Sequence, residues 1–442
     1  MKQLVTAKLK LSLTQEQKQL MREVCLAYRD ALNYTSLVAF EKGKLSGAAK
    51  LQKLVYQDLR CNYNLPSQMA CNVPRQVAAT YKGLWTLVKQ NKEAIALGRT
   101  KKRYKGLDKP PKFVSRTCTL NFGRDYSWAK GQKVSVITLK GRIVVPYVGY
   151  DKYLEIIRTG VATVGAAKIW YNKSSKNYYL LVSLELEIPD INPEKITRII
   201  GVDVGRRYLA VTTDTNNQTK FYSGSSVIHK ANRRQKVVKT LQRKGTRSAT
   251  RRLISLSGRE RRFVADTNHC LAKKIATPGC LIGLEDLTHI RERTGSKAKG
   301  KLASVKQRRA NRNQTKWSFA ELHSFIDYKA VLVGSLAIKV DADYTSQGCC
   351  KCGYTSRENR PKKGLTFLCQ ACFFEIHADL LGARNIALRT LVSRQDWEAT
   401  GRISAVPDVS DCEAKAERLK RFSELRWSLD AIPDLATSGR GS

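Results

Sequence analysis

Residues 345–385 read TSQGCCKCGYTSRENRPKKGLTFLCQACFFEIHADLLGARN, and the rest of the chain is arranged around them. Two Cys-x-x-Cys pairs, Cys349/Cys352 and Cys369/Cys372, stand sixteen residues apart. Four thiolates at that spacing suit a closed tetrahedral zinc site that fixes a loop. Directly after the second pair comes a lone carboxylate, Asp379, at the mouth of the apolar helical pattern LLGARNIALRTL. A zinc clip that delivers one acid directs attention to the acids it could join.

Two earlier stretches supply them. ITRIIGVDVGRRYLAVTTD (196–214) is a hairpin pattern: an apolar strand, a turn at Gly205 and two arginines, and a return through Leu209, Ala210 and Val211. Asp203 interrupts the buried run. A carboxylate there is costly unless it is paired or metal-bound, although an Asp capping the following turn is an equal reading. CLIGLEDL (280–287) is a second apolar strand, ended by Glu285 and Asp286. Strand, acid, basic helix, strand, acid, zinc insert, acid, helix is the resulting order. Magnesium takes hard oxygen ligands, so a few convergent carboxylates and a substrate phosphate suffice to hold it. Two such ions can activate a water and stabilise the leaving 3′ oxygen of a phosphodiester. No Gly-rich phosphate loop ending in Lys-Ser/Thr is present, and five scattered histidines offer no Ser/His/Asp set.

Charge points the same way. Eighty Lys and Arg face 37 Asp and Glu, a formal net of +43 over 442 residues. Such a field draws polyanions, and with 8% aromatics and no lipidation signal the expected partner is nucleic acid, not membrane. The basic helical run Lys230–Arg262 carries Arg233, Arg234, Arg251 and Arg252 against Glu260 alone. His269 reads as a core or surface histidine. Twelve cysteines with no secretory leader imply reduced thiols and an intracellular, cytoplasmic protein.

The remaining elements follow in chain order. Residues 3–12 suggest a short strand. Thr14 with Gln17 forms a capping-box signature that opens a helix to about Phe40. Further helices are expected at 46–60 and 67–96, with Pro74 as an alternative start for the latter; Arg75, Gln76 and Lys82 lie on its polar face. Lys101–Lys112 is a basic, Pro/Gly-rich linker. Residues 113–190 alternate with period two, as in a small antiparallel barrel that the first strand could join. Residues 289–316 are basic, lack apolar periodicity, and suggest a lid. Residues 317–334 regain helical spacing, AIKVDADY alternates as a strand, and Asp341 and Asp343 read as turn or surface residues. Beyond 393 the chain suggests a poorly ordered tail with one helix near Cys412–Leu429.

GVDVGRRYLAV, LIGLEDL and TSQGCCKCG…FLCQACFFEIHADLLGARNIA together resemble the three split RuvC motifs and embedded zinc site of the TnpB family. These are transposon-encoded, OrfB-type RNA-guided DNA endonucleases, related to type V CRISPR effectors. The resemblance is best over 196–390; the N-terminal half matches in layout only. It implies a multidomain α+β protein. An RNase H-like (RuvC) nuclease with an embedded zinc ribbon would be joined to a β-barrel wedge domain interrupted by a helical recognition domain. The implied division is 1–12 first wedge strand, 13–112 recognition helices, 113–195 wedge barrel, and 196–344 nuclease with its lid. A 345–376 zinc insert, a 377–392 third motif and a 393–442 tail complete it.

The same resemblance makes Asp203, Glu285 and Asp379 the catalytic, magnesium-binding triad for two Mg²⁺ ions, and Cys349, Cys352, Cys369 and Cys372 the zinc ligands. Asn385 matches a third-motif Asn with a structural role. Leu381-Gly382-Ala383 stands where relatives often carry Asn-Ala-Ala. The implied activity is RNA-guided cleavage of DNA beside a short adjacent motif, in a prokaryotic, nucleoid-associated setting. Guide RNA and target double-stranded DNA with a displaced single strand would be the partners. Arg75, Gln76, Lys82, Arg206, Arg233, Arg234, Arg251, Arg252, Arg357 and Arg360 are the candidate nucleic-acid contacts, and Lys362 and Lys363 extend that set. A compact type V effector and a nuclease-inactive RNA-guided DNA-binding regulator are the alternatives. Retention of all three acids argues against the second.

Overall fold

The computed structural model describes residues 1–98, 100–173, 175–287, 304, 318–360, 365–403 and 412–427. The expected lid, save Ser304, and Lys362 and Lys363 lie outside these residues. The chain divides into two compact units, Lys2–Glu187 and Ile188 onward, the latter taking in Met1.

The first unit begins with β1 (Lys2–Leu11), α1 (Gln15–Glu41), α2 (Ala48–Cys61) and α3 (Ser67–Ala96). Strands β2 (Thr117–Leu120), β3 (Tyr126–Ala129), β4 (Lys133–Thr138) and β5 (Gly141–Val148) follow. Then come α4 (Asp151–Thr159), β6 (Ala162–Asn172) and β7 (Asn177–Glu187). The seven strands form one antiparallel sheet in the order β2-β6-β7-β1-β5-β4-β3, nearly closed as a barrel. β1 sits at its centre, burying Val5, Ala7, Leu9 and Leu11 on one face. The three long helices are therefore an insertion between β1 and β2, as the sequence suggested. The capping box forms: Gln17 N donates to Thr14 Oγ1 (3.2 Å) and Thr14 N donates to Gln17 Oε1 (3.1 Å).

Helix α3 starts at Ser67 and not at Pro74. Met69, Ala70, Val73, Pro74, Val77 and Tyr81 share one buried face, and that packing outweighs the backbone bond Pro74 cannot make. Helix α4, absent from the sequence reading, is a nine-residue element with no buried side chain, stopped by Gly160 at φ 69°.

The second unit opens with a 3₁₀ turn at Pro193–Lys195, then β8 (Arg198–Asp203), β9 (Tyr208–Asp214) and β10 (Thr219–Ser223). The basic run becomes α5 (Ser225–Lys244), α6 (Arg247–Leu256) and α7 (Arg259–Ile275), broken at Gly245 and Gly258, both at positive φ. β11 (Cys280–Glu285), α8 (Phe319–Val331) and β12 (Leu336–Val340) complete the main layer. A small hairpin, β13 (Thr366–Leu368) and β14 (Glu375–His377), precedes α9 (Ala378–Thr400) and α10 (Cys412–Ser423).

The sheet order is β10-β9-β8-β11-β12, with β8–β10 antiparallel and β11 and β12 parallel to β8. This is the RNase H-like arrangement. Ile200, Val202, Ile282 and Leu284 face α7 and α8, meeting Leu271, Ile275, Leu322 and Ile326. Ile199 and Leu281 point the other way and pack with Ile196 and Trp397.

Two expected boundaries move. The barrel ends at Glu187, because Ile191 and Ile196 already pack with Trp397 in the second unit. Helix α9 runs on to Thr400 past the expected end of the third motif at 392. Its continuation buries Arg394 and Trp397 although the sequence there is mixed in charge. The helix expected near Cys412–Leu429 forms as α10 and ends at Ser423; the segment after it is not loose, since Trp427 N donates to Cys350 O (2.7 Å) and Trp427 Nε1 donates to Asn217 Oδ1 (2.8 Å).

Helix α9 lies directly on the sheet because glycine occupies both points of contact. Gly201 and Gly283 are register partners on β8 and β11. A Cβ on Gly201 would stand 2.0 Å from Ala383 O and 2.5 Å from Ala387 N. One on Gly283 would stand 1.8 Å from Thr390 Oγ1 and 3.0 Å from Thr390 Cβ. Gly201→Ala meets immovable helix backbone and should cost about 3 kcal/mol or more, at the upper end of overpacking effects. Gly283→Ala meets a side-chain hydroxyl, which can turn away by giving up its 2.7 Å bond to Ile386 O, and should cost less. Chemical denaturation of both variants checks the order, and a greater loss at Gly283 would contradict it.

Candidate active site and zinc centre

Side chains two residues apart on a strand share a face. Asp203 is two residues beyond Gly201, and Glu285 two beyond Gly283. Both acids therefore stand on the α9 side of the sheet, at the C-terminal ends of adjacent parallel strands, just past the glycines on which the helix rests. Asp379 is the second residue of α9, so the same helix carries the third acid to them. His377 caps that helix, its Nδ1 accepting from Asp379 N (3.2 Å). A Cβ on Gly382 would come 3.1 Å from Asp203 Cγ, so the departure at 381–383 places a glycine where the Asp203 carboxyl needs room.

The acids form one electrostatic group. Burial pushes the Asp203 carboxyl well above the usual range, and the charges of Glu285 and Asp379 push it further; Arg360 opposes them. Burial also raises Glu285, against the hydrogen bond from Thr345 and the charges of Arg389 and Arg360. Carboxylates raised by desolvation, and at Asp203 by the neighbouring acids as well, would be relieved by a cation. Their hard oxygens fit magnesium. The capping alternative for Asp203 recedes, because its dominant neighbours are acids and not turn amides.

The zinc insert is tied to this group at three points. Thr345 Oγ1 donates to Glu285 Oε1 (2.5 Å). Asn385 Nδ2, on α9, donates to Thr345 O (2.7 Å) and Gly348 O (2.8 Å). One turn further along α9, buried Arg389 donates through Nη1 to Asp341 O and through Nη2 to Asp343 O (2.7 Å). Burial lowers the Arg389 guanidinium to about 10, against the pull of Asp341, Glu285 and Asp343. Asp341 is itself buried, and its Oδ1 accepts from Asp343 N (2.9 Å), so it is a turn residue but not a surface one. The roles of Thr345 and Arg389 escaped the sequence reading. The available signal was the four-residue spacing of Asn385 and Arg389 on one helix face.

Sγ atoms of Cys349, Cys352, Cys369 and Cys372 all lie within 4.8 Å of one another, the single such cluster among the described residues. Cys349 and Cys372 are 3.7 Å apart, and Cys352 and Cys369 3.5 Å. A tetrahedral zinc with arms of about 2.3 Å requires edges of about 3.8 Å, so the four thiols fit the ion. Each pair is turned by a backbone bond, Gly353 N to Cys349 O (2.8 Å) and Phe373 N to Cys369 O (3.0 Å). Buried Asn359 pins the loop between them, donating to Gln347 O (2.9 Å) and accepting from Gln370 N (2.9 Å).

The other candidate residues scatter. Arg75 and Lys82 are exposed on α3, but Gln76 Oε1 accepts from Tyr28 OH and Thr119 Oγ1, both at 3.3 Å, and so joins the helices to the barrel. Arg233, Arg251 and Arg252 are exposed on α5 and α6. Arg206 is half-buried in the β8–β9 turn. Arg234 pairs with Glu260 (3.7 Å) and donates to Leu256 O (2.7 Å), tying α5 to α6 and α7. Arg357 and Arg360 are exposed on the zinc insert. His269 stacks on Phe325 at 3.8 Å, a packing role.

Residues 182–290, with the first two acids, match the family model OrfB_IS605, described as "Probable transposase". Residues 319–386, with the four cysteines and the third acid, match the model "Cas12f1-like, TNB domain". The chain is 28% identical over 276 residues to "CRISPR-associated endodeoxyribonuclease Cas12f1" of Sulfoacidibacillus thermotolerans, covering 58% of this chain and 59% of that protein. It is 26% identical over 297 residues to "Putative RNA-guided DNA endonuclease InsQ" of Escherichia coli (strain K12), covering 62% and 67%. It is 25% identical over 273 residues to "TnpB-like protein MJ0751" of Methanocaldococcus jannaschii, covering 58% and 90%. The chain thus spans less than two thirds of the Cas12f1 it matches. The resemblance to the TnpB family read from the motifs is borne out by these matches.

Two measurements test the site. Because the folded state holds protons on Asp203 and Glu285 more tightly than the unfolded chain does, stability without divalent cation is gained as pH falls toward the raised folded values and lost as it rises through them. Asp203→Asn should raise Tm at neutral pH in EDTA and abolish any further rise with magnesium. An unchanged magnesium response would overturn the assignment. Cys369→Ser should release zinc and, through Thr345, loosen Glu285. Amide exchange should then rise first at the start of α9, and exchange confined to the insert would contradict the coupling.

Proposed function

We propose that the chain is an RNA-guided, magnesium-dependent DNA endonuclease of the TnpB type, cutting target DNA by metal-assisted phosphodiester hydrolysis. One observation carries the reading. Asp203, Glu285 and Asp379 stand at the ends of β8 and β11 and the start of α9, close enough that the charges of Glu285 and Asp379 raise the Asp203 carboxyl, inside a chain of net charge +43. When bound there, two magnesium ions would supply an activated water and stabilise the leaving 3′ oxygen. The protein's own groups do the positioning. Thr345 holds one Glu285 oxygen by hydrogen bond, leaving the other for a ligand. The His377 cap fixes the first turn of α9 and with it Asp379.

The exposed arginines of α5 and α6 offer a phosphate-binding face on the nuclease unit, and Arg75 and Lys82 offer one on the barrel unit. Contacts of that kind hold a duplex by shape, while guide pairing supplies sequence. Arg360 stands where a strand approaching the acids would pass, since it is close enough to stabilise the charges of Asp203 and Glu285, and Arg357 is exposed on the same insert. The match of 319–386 to the Cas12f1-like domain supports a second reading, a compact type V effector using the same site. Among the described residues no helix is long and apolar enough to cross a membrane.

Purification from the native locus, sequencing of bound RNA and cleavage of a matching target with magnesium form the test. Asp203→Ala should lower cutting by at least about a thousandfold, as loss of a metal-holding acid does, with RNA retained. A wild-type chain that binds guide and target but never cuts would favour the regulator reading.

A further inference from the structure

A cavity of about 220 Å³ opens in the second unit between the β8–β9 turn, α5 and α7. Its floor is apolar: Leu209, Val227 and Val264 are buried core residues, and the Phe263 ring forms one wall. Its rim is cationic. Arg206 and Arg259 line it, and Lys230 Nζ stands 4.3 Å from the Phe263 ring centre. Arg234 also lines it. That guanidinium uses Nε toward Glu260 and Nη2 toward Leu256 O, but Nη1 is buried with no hydrogen-bond partner. An unpaired buried donor beside an apolar cavity is costly unless a ligand acceptor reaches it.

Size, shape and charge select the ligand. An apolar cavity of about 150 Å³ accepts benzene, so this one accommodates a somewhat larger flat ring. An aromatic wall offers stacking, the inner guanidinium offers a donor to a ring carbonyl or nitrogen, and the rim arginines suit a phosphate. Only two residues separate Asp203 from Arg206, at most about 10 Å of extended chain, so the rim arginine and the acid share the end of β8 while the cavity lies on the α7 face and the acids on the α9 face.

We propose that this cavity receives an unpaired nucleobase of a bound DNA strand, its phosphate held by Arg206 and Arg259. The base stacks on Phe263 and accepts from Arg234 Nη1. The strand is thereby anchored on the nuclease unit without its sequence being read by pairing. The proposal deepens the nuclease reading, but its test does not depend on cutting.

The full-length protein, with any RNA it carries, is titrated in EDTA with a fluorescent single-stranded DNA and with the same strand containing abasic sites. Wild type should bind the base-bearing strand about tenfold more tightly. Phe263→Leu, and independently Ala231→Phe, which fills the cavity from α5, should remove that preference and leave the salt dependence of binding unchanged. Circular dichroism and Tm confirm that each variant is folded. A preference for bases that survives in both folded variants would overturn the proposal, as would its absence in wild type. The RNA version of the strand distinguishes the source: tighter, cavity-dependent binding of RNA than of DNA would overturn the assignment to the DNA strand. Failure of cleavage with magnesium, by contrast, would count against the nuclease reading and leave these binding results standing.

Discussion

The second unit depends on one close contact, the crossing of α9 over the paired glycines of β8 and β11. A helix usually rests on a sheet through a layer of side chains. Here Ala383 O and Ala387 N approach the backbone of Gly201 directly, and Thr390 fills the space over Gly283. That depth fixes where the first turn of α9 ends up, and so the position of Asp379 relative to two acids on the same face of the sheet. Gly382 repeats the device one turn from the acids, where the neighbour is the Asp203 carboxyl itself. The apolar layers on both faces then lock the arrangement, since β8 and β11 are buried along almost their whole length.

The acids so gathered are unfavourable neighbours, and the zinc insert explains how the fold keeps them together. Its root, Thr345, is bonded at once to Glu285 by its hydroxyl and to Asn385 by its carbonyl, linking strand, insert and helix through one residue. Arg389 adds a buried cation on the helix side and satisfies two carbonyls of the turn that leads into the insert. Zinc held by the four cysteines would stiffen the far end of this connection and not the acids themselves. The insert is therefore a structural brace for the third acid, with exposed Arg357 and Arg360 as its outward face. Segment 425–427 leans on the same brace, Trp427 reaching Cys350 and the Arg384 guanidinium.

What was legible in the sequence was local. Cysteine spacing, an acid at the end of an apolar strand, and a capping box each depend on neighbours within a few residues, and each is visible without a fold. The glycine pair was not legible, because Gly201 and Gly283 are eighty-two residues apart in the chain and acquire meaning only through the β8–β11 register. Thr345 and Arg389 were missed for the same reason: their partners lie sixty and forty-eight residues away. Gln76 and Arg234 looked like free polar side chains on basic helices, yet their bonds go to distant parts of their own units. Helix α9 outran its expected end because Trp397 packs on Ile199 and Leu281, a tertiary contact that overrides a polar local sequence.

Charge gives the last connection between these parts. A chain of net +43 could have neutralised its buried acids with lysines, and a closed ion pair would have left no room for a cation. Instead the charges nearest Asp203 and Glu285 are Arg360, exposed and reaching in from the insert, and Arg389, whose guanidinium is already engaged with backbone carbonyls. Neither closes on the carboxylates as a bidentate partner. The acids are therefore moderated and not quenched, which keeps their oxygens open to a hard cation. The surplus positive charge is carried elsewhere, along α5 and α6, where it faces solvent and can meet phosphate. A polyanion drawn to that face and reaching the acids would add negative charge to a group already burdened with it. Binding of a phosphate strand and of a cation at the acids would then be coupled, each lowering the electrostatic cost of the other.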